Sequence, residues 1–202
     1  YTWNNEPLKL REAPIKDLID SKSGNVSQIN LLLHNLLIEN DIESTPILLS
    51  TRGNGFATKL FPVISEFNYL ITQATIDGKT YFLDATDVFL SFGQLPFRCL
   101  NDYGRLLTLK KGSSWIDIVN DKFSAVQHQV SLKFDEENVL KGIMNSRFTD
   151  YYALDKKKDY FPNPESYVED FENSLVDIEV VSHKVKDPDI DSDKFQEAFE
   201  LE

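Results

Sequence analysis

The stretch SGNVSQINLLLHNLL, residues 23–37, constrains the fold most strongly because it specifies a helix from its first turn. Gly24 favours a turn, and Asn25 or Ser27 can accept hydrogen bonds from the first free backbone N–H groups. Apolar residues then recur at the spacing of a stripe that faces a core, namely Ile29, Leu32, Leu33, Leu36 and Leu37. We therefore expect a helix over residues 26–39 that packs on a sheet.

The first turn of this helix has the frame of a catalytic site. A nucleophile at a helix N-terminus gains from the helix dipole, which lowers the pKa of a thiol. The residue placed to point inward at that turn is Val26, which has no such chemistry. The position at which a nucleophile would gain most from the helix dipole is thus taken by an unreactive side chain.

Strand patterns follow the helix. Residues 44–52, STPILLSTR, are typical of a buried strand. A hairpin is predicted for 67–76 and 80–86, because the intervening Asp77-Gly78 suits the turn between paired strands. In the second half the patterns predict strands at 123–135 and 176–185 and helices at 147–159 and 164–175, and they leave 194–202 undecided.

Three motifs in the first half mark the helix start and the hairpin: Gly24-Asn25-Val26-Ser27-Gln28, Phe67-Asn68-Tyr69 and Leu83-Asp84-Ala85-Thr86. With LLSTR (48–52) and LPFRCLN (95–101), they resemble the transglutaminase-like superfamily, in the branch found in large bacterial cell-envelope proteins. The resemblance covers roughly residues 15–110. It implies a papain-like layout, in which a helix packs on an antiparallel sheet, and a periplasmic or cell-envelope location.

The resemblance also implies that the catalytic Cys, His and Asp positions fall on Val26, Tyr69 and Asp84. Acyl transfer by this layout needs a thiolate, a base that activates it and a carboxylate that orients the base. Valine cannot attack, and a tyrosine with an ordinary pKa near ~10 is a poor proton shuttle at neutral pH. We expect a degenerate triad without catalysis, in which Tyr69 and Asp84 form a hydrogen bond.

The function expected from the resemblance is that of a non-catalytic module of a cell-envelope protein. Its former active-site cleft would bind a peptide, a glycan or a neighbouring domain of the same chain, through Asn25, Ser27 and Asn68. One alternative is a cysteine-dependent acyltransferase or protease-type enzyme that uses Cys99 or groups outside this chain. A second alternative is a purely structural scaffold segment.

Charge separates the two halves of the chain and argues against several partners. Residues 1–112 hold 12 acids and 11 bases, whereas residues 113–202 hold 21 acids and 10 bases. Without a basic stripe, we expect no nucleic-acid partner. No apolar run approaches the ~20 residues that span a bilayer. The opening YTWNNEPLKL lacks a Met, so we expect a piece of a longer protein.

We expect an α+β chain with two domains, divided near Lys110–Ser114. Residues 1–112 would form the transglutaminase-like core. Residues 113–202 would form a smaller β-rich domain, in one version a β-sandwich, with one or two helices.

We expect no cofactor and no metal. His34, His128 and His183 lack the spacing of metal ligands. Alternating acids in KDPDIDSDK (186–194) hint at a calcium loop, but the Gly and terminal Glu of an EF-hand are missing, which favours a solvated acidic turn. One aromatic set fits either a sugar-stacking surface or the core of the second domain, which we favour: Tyr151, Tyr152, Tyr160, Phe161 and Tyr167.

Overall fold

The computed structural model describes residues 1–9, 14–108 and 112–202, and the chain divides into the units Tyr1–Asn120 and Asp121–Glu202. Each unit combines helices with an antiparallel sheet, so the α+β class is confirmed. The helices and strands of the first unit are β1 (Thr2–Trp3), α1 (Ile15–Ser21), β2 (Ser23–Gly24), α2 (Val26–Glu39), β3 (Glu43–Leu49), β4 (Tyr69–Ile76), β5 (Lys79–Leu83), β6 (Tyr103–Thr108) and β7 (Gly112–Asp117).

The helix α2 has the predicted bounds, and it begins at Val26 because its N-terminus is capped. The Asn25 side chain accepts from the backbone N–H of Gln28, and the Gln28 side chain accepts from that of Asn25, each at 3.0 Å. This reciprocal capping box satisfies two otherwise free donors. Gly24 is needed beside it, since a Cβ there would lie 2.7 Å from the Gln28 Oε1 atom.

Burial along α2 is concentrated at its start, which corrects the predicted apolar stripe. Residues 26–30 are all buried, while Leu36, predicted to face the core, is 52% exposed. The helix packs on β3 and β4, and α1 packs against it. The first turns of α2 are therefore buried on several sides, whereas its last turns are covered on one side.

The main sheet of the first unit has the strand order β5-β4-β3-β6-β7, with antiparallel neighbours. The predicted hairpin forms β4 and β5, and Asp77 and Gly78 both adopt positive φ, 51° and 74°, as the mirror-image hairpin turn requires. Alternate residues of β3 and β4 serve two buried clusters, so both faces of the sheet centre are covered.

The division between units lies after Asn120 and not after residue 112. The strand β7 pairs with β6 from Gly112 to Asp117 and completes the first sheet, so it belongs to the first unit. Lys110 and Lys111, on which the predicted boundary rested, lie outside the described residues.

The second unit is one four-stranded antiparallel sheet with two helices, so the β-sandwich version of the prediction is wrong. Phe148 and Phe195 are register partners, and aromatic or apolar residues of both helices contact their face of the sheet. The strand order is β10-β11-β9-β8, and the elements are β8 (Val126–Phe134), β9 (Leu140–Thr149), α3 (Tyr151–Tyr160), α4 (Pro164–Asn173), β10 (Val180–Lys186) and β11 (Lys194–Leu201).

Candidate functional site

The three residues that the resemblance placed in catalytic positions lie together where α2 meets the sheet. Val26 is the first residue of α2, Tyr69 is the first residue of β4, and Asp84 directly follows β5. Val26 and Tyr69 belong to one buried cluster and are 0% and 3% exposed. The Tyr69 hydroxyl donates to Asp84 Oδ2 at 2.8 Å. The hydrogen bond predicted between these two residues is thus confirmed.

Arg98 completes this site and was not singled out by sequence reasoning. Its Nη2 atom donates to the Tyr69 hydroxyl at 2.7 Å and to Thr86 Oγ1 at 3.2 Å. The Tyr69 hydroxyl therefore bridges the guanidinium and the Asp84 carboxylate. The LPFRCLN segment contains this arginine, so the resemblance marked the segment but not the side chain that acts there.

Backbone and amide donors hold the Asp84 carboxylate in place. Its Oδ1 atom accepts from the Thr86 backbone N–H at 2.7 Å and from Asn30 Nδ2 at 3.4 Å. Asn30 is fully buried in α2 and also bonds the backbone of Leu70 and Ala85. This asparagine ties the helix to the sheet and to the segment after β5.

Burial sets the protonation chemistry of the site. It raises the pKa of Tyr69 far above the usual range for a phenol, and the nearby Asp84 carboxylate raises it further. Burial also raises the pKa of Asp84, against the effect of its hydrogen bonds from Thr86 and Tyr69. A phenol that keeps its proton cannot serve as a general base at neutral pH.

The leading segment, residues 1–9, lies across this site and bends at Asn5, where φ is 64°. β1 pairs in parallel with β2, and the Asn4 N–H donates to the Gly24 carbonyl at 3.0 Å. Further along, the Val26 N–H donates to the Glu6 carbonyl at 3.3 Å, and the Leu8 N–H donates to the Asn68 carbonyl at 3.0 Å. Main-chain hydrogen bonds thus hold the leading segment against two of the three motifs.

Trp3 anchors the leading segment. Its ring meets the Tyr69 ring edge-on at 6.3 Å, and the Arg98 guanidinium lies 4.5 Å from its centre. The indole N–H donates to the Glu6 carbonyl at 3.0 Å. An aromatic ring over a cation gains from the ring quadrupole, so the anchor is electrostatic as well as apolar.

The three predicted cleft residues have separate roles in the structure. Ser27 exchanges two hydrogen bonds with the Lys9 backbone, at 3.2 and 2.9 Å. The Asn68 backbone binds Leu8, while its side chain bonds Thr51. Asn25 is 2% exposed and caps α2. Two of the three therefore contact a peptide segment, which is the chain's own.

Cys99 lies in the same buried cluster as Val26 and Tyr69. It ends a short 3-10 turn, Phe97–Cys99. Its side chain is fully buried, and burial raises the pKa of the thiol well above its usual value. Since the thiolate is the nucleophilic form, the geometry gives no support to an enzyme built on Cys99.

The acidic turn of the second unit already contains a cation from the chain itself. The buried Lys157 ammonium donates to the carbonyls of Ile190 and Ser192 at 2.9 and 2.8 Å. Among the residues that the structure describes, no group of His, Cys, Asp and Glu could hold a metal ion. The lysine thus occupies the carbonyls that a calcium loop would offer to its ion.

Two of the five singled-out aromatic residues belong to the core of the second unit. Tyr160 and Tyr167 meet edge-on at 5.6 Å, and Tyr167 donates to the buried Glu197, which also bonds His183. Tyr160 meets both Phe161 and Tyr167 edge-on, so the set does not form one flat stacking surface. The Tyr167–Glu197–His183 network joins residues far apart in sequence, and no local pattern marks it.

Comparisons with family models, curated proteins and solved structures return no match for this chain. Within the described ranges, no helix is both long and apolar enough to cross a membrane. The geometry of the site therefore carries the functional argument by itself.

Proposed function

We propose that the first unit is a non-catalytic module with a transglutaminase-like, papain-like layout, from a bacterial cell-envelope protein in the periplasm or at the envelope. Its former active-site cleft holds a polypeptide segment through main-chain hydrogen bonds. The observation that carries this proposal is the position of the leading segment across Val26, Tyr69 and Asp84. The order of motifs along the chain supports the layout, because a helix start, a strand start and a strand end converge at one place.

The site lacks the groups that acyl transfer requires. Val26 offers no nucleophile, and Tyr69 is held protonated between Arg98 and Asp84. The helix N-terminus is also covered, since the Val26 N–H already bonds the Glu6 carbonyl. An oxyanion stabilised by that N–H would first have to displace the leading segment.

Among the three ligand classes considered, a peptide fits the cleft best. The leading segment is bound through its main chain at several points and through one aromatic anchor. Main-chain pairing combined with side-chain pockets is a general mode of recognition of extended peptides. A purely structural role would use the same contacts but would not accept a peptide from outside the chain.

Binding tests the peptide proposal directly. A labelled peptide of residues 1–9 should bind the full chain carrying Trp3→Ala, and should bind the unmodified chain more weakly because its own segment occupies the cleft. The matched control is the same peptide with Trp3→Ala, expected to bind at least about 10-fold more weakly because central Trp anchors dominate such contacts. Fluorescence anisotropy measures both. The titration extends to about millimolar peptide, the effective concentration of the tethered segment. Equal binding of the two peptides, or none in this range, would favour the scaffold alternative.

Catalysis is tested separately on the unmodified chain with amide, ester and amine-acceptor substrates. We expect no hydrolysis or transamidation above the buffer rate, since loss of a nucleophile alone removes many orders of magnitude in rate. The control is Cys99→Ser. Turnover that this variant abolishes would support the cysteine-enzyme alternative.

A further inference from the structure

The sheet of the second unit extends beyond its helices and leaves one strand uncovered. Val126 of β8 is the register partner of the buried Phe148, so alternate β8 residues share the helix-covered face of the sheet. Four of them are apolar and exposed, at 40%, 52%, 60% and 69%, and we call them the β8 apolar row: Val126, Val130, Leu132 and Phe134. The row lies at the edge of the sheet, because β9 is the one strand that pairs with β8 among the residues that the structure describes.

The two edge strands of this sheet are protected to different degrees. β10 has a register irregularity between Val180 and Ser182, and it carries Lys184 and Lys186. Bulges and lysines are devices that keep an edge from pairing with another chain. β8 pairs with β9 without a register shift and contains no proline and one lysine, Lys133. β8 is therefore the edge that is open to further pairing.

β8 differs in charge from the unit that contains it. Residues 121–202 hold 20 acids and 10 bases, yet β8 contains no acid. Two copies of such an acidic unit repel each other over most of their surfaces. The acid-free strand is a place where a second copy can approach closely.

The sequence of β8 is complementary to itself in the antiparallel direction. With Val130 on a two-fold axis, Val126 faces Phe134 of the second copy and His128 faces Leu132, all on one side of the sheet. On the other side, Gln127 faces Lys133 and Gln129 faces Ser131. No like charges meet, and the β8 apolar row continues across the axis.

We propose that β8 is the pairing edge of a two-fold dimer, in which the two four-stranded sheets join into one sheet of eight strands. Two-fold interfaces use the same patch on both copies, as this register does. Pairing of the two β8 strands gives hydrogen-bond partners to the backbone groups at both edges. It also buries the β8 apolar row of one copy against that of the other. One strand pair gives a small interface, below about 1,200 Å², so the dimer should dissociate on dilution.

Mass measurement across protein concentrations tests this proposal on the full chain. We expect a reversible rise from the monomer to the dimer mass. Val130→Lys should weaken association at least about 10-fold, because it places two lysines against each other on the axis. The matched control is Val181→Lys on the other edge strand, where the valine is 56% exposed, and it should leave association unchanged. A monomer at all concentrations, or equal loss in both variants, would overturn the proposal.

Two oppositely charged variants of residue 130 test the register of the proposed dimer. Their result does not depend on whether either variant loses stability. Val130→Lys and Val130→Asp should each be monomeric alone, but a mixture should form a heterodimer, since residue 130 faces itself only about this axis. Circular dichroism verifies that both variants are folded. If the mixture stays monomeric while the unmodified chain dimerises, the dimer uses another surface and the proposal is wrong.

Discussion

Arg98 determines the role of the Tyr69 hydroxyl. With a histidine at residue 69, the Asp84 carboxylate would orient an imidazole. With tyrosine there, the hydroxyl instead links a guanidinium to a carboxylate, and both charges gain a partner. The arginine also lies over the Trp3 ring, so the same side chain connects the degenerate site to the segment that covers it.

Tyr69→Phe should destabilise the first unit by about 1–3 kcal/mol, because it removes the hydroxyl that accepts from Arg98 and donates to Oδ2 of the buried Asp84 carboxylate. Urea unfolding followed by tryptophan fluorescence measures the change. The matched control is Tyr81→Phe, whose ring packs on Phe92 at the surface of the same unit. A loss of the same size in the control would mean that the effect is general to tyrosine and not due to this network.

Asp84 should make the stability of the first unit depend on pH. Burial raises its pKa in the folded protein above that of the unfolded chain, near ~3.9. The folded state then binds the proton more tightly, so stability rises as pH falls through the folded pKa and levels off below the unfolded pKa. Relative to Asp84→Asn, the unmodified chain should gain stability on acidification, as urea unfolding at a series of pH values would show. A relative loss would mean that Arg98 outweighs burial.

At the scale of elements, the sequence predicted those helices and strands that are determined by residues close together in the chain. The start of α2 is set by its N-terminal cap, and the β4–β5 hairpin is set by the turn at Asp77-Gly78. The strand β9 was missed, and Arg147 at its end was assigned to a helix, because its apolar residues alternate weakly and its pairing is set by distant strands. β11 was left undecided although it is central in its sheet, since a nine-residue stretch carries little period information.

The cap of α2 can be tested by one substitution. Asn25→Ala should cost about 1 kcal/mol or more, because the residue accepts from the N–H of Gln28 and from the Ser27 hydroxyl. Asn35→Ala, at an exposed position of the same helix, is the control and should be neutral or slightly stabilising. Thermal unfolding of the two variants compares them. If both behave alike, the capping box contributes little to this helix.

The acidic turn between β10 and β11 should depend on lysine and not on calcium. Lys157→Met leaves the carbonyls of Ile190 and Ser192 without their charged donor, and we expect a loss of about 2–4 kcal/mol in the second unit. Lys184→Met, at an exposed position of β10, should change little. Calcium or a chelator should not move the unfolding temperature of the unmodified chain. Stabilisation by calcium would contradict the role given to the ammonium.

The whole molecule is a pair of units with very different charge. Residues 1–120 hold 13 acids and 11 bases, against 20 acids and 10 bases in residues 121–202. The sequence already showed this asymmetry, but it did not show where the sheet of the first unit ends, because the pairing of β6 with β7 spans the predicted boundary. Local sequence patterns also could not predict contacts between distant segments, such as the contact of Trp3 with Arg98.

Salt should therefore stabilise the second unit more than the first. Raising the ionic strength from about 0.02 M to 0.3 M shortens the range of repulsion between exposed acids to less than 10 Å. Both tryptophans lie in the first unit, so their fluorescence follows that unit alone, while far-UV circular dichroism records both. We expect the circular dichroism transition to shift upward with salt and the fluorescence transition to move less. Equal shifts would contradict an origin in the charge of the second unit.

The leading segment is joined to its own cleft through only a few residues, between Lys9 and Pro14. A ligand tethered so briefly has an effective concentration on the order of millimolar at its site. A free peptide present at micromolar concentration must therefore bind roughly 1,000-fold more tightly than the segment does to occupy half of the clefts. If the first unit binds peptides as proposed, weak competitors will not displace the leading segment, and that segment will set the selectivity of the cleft.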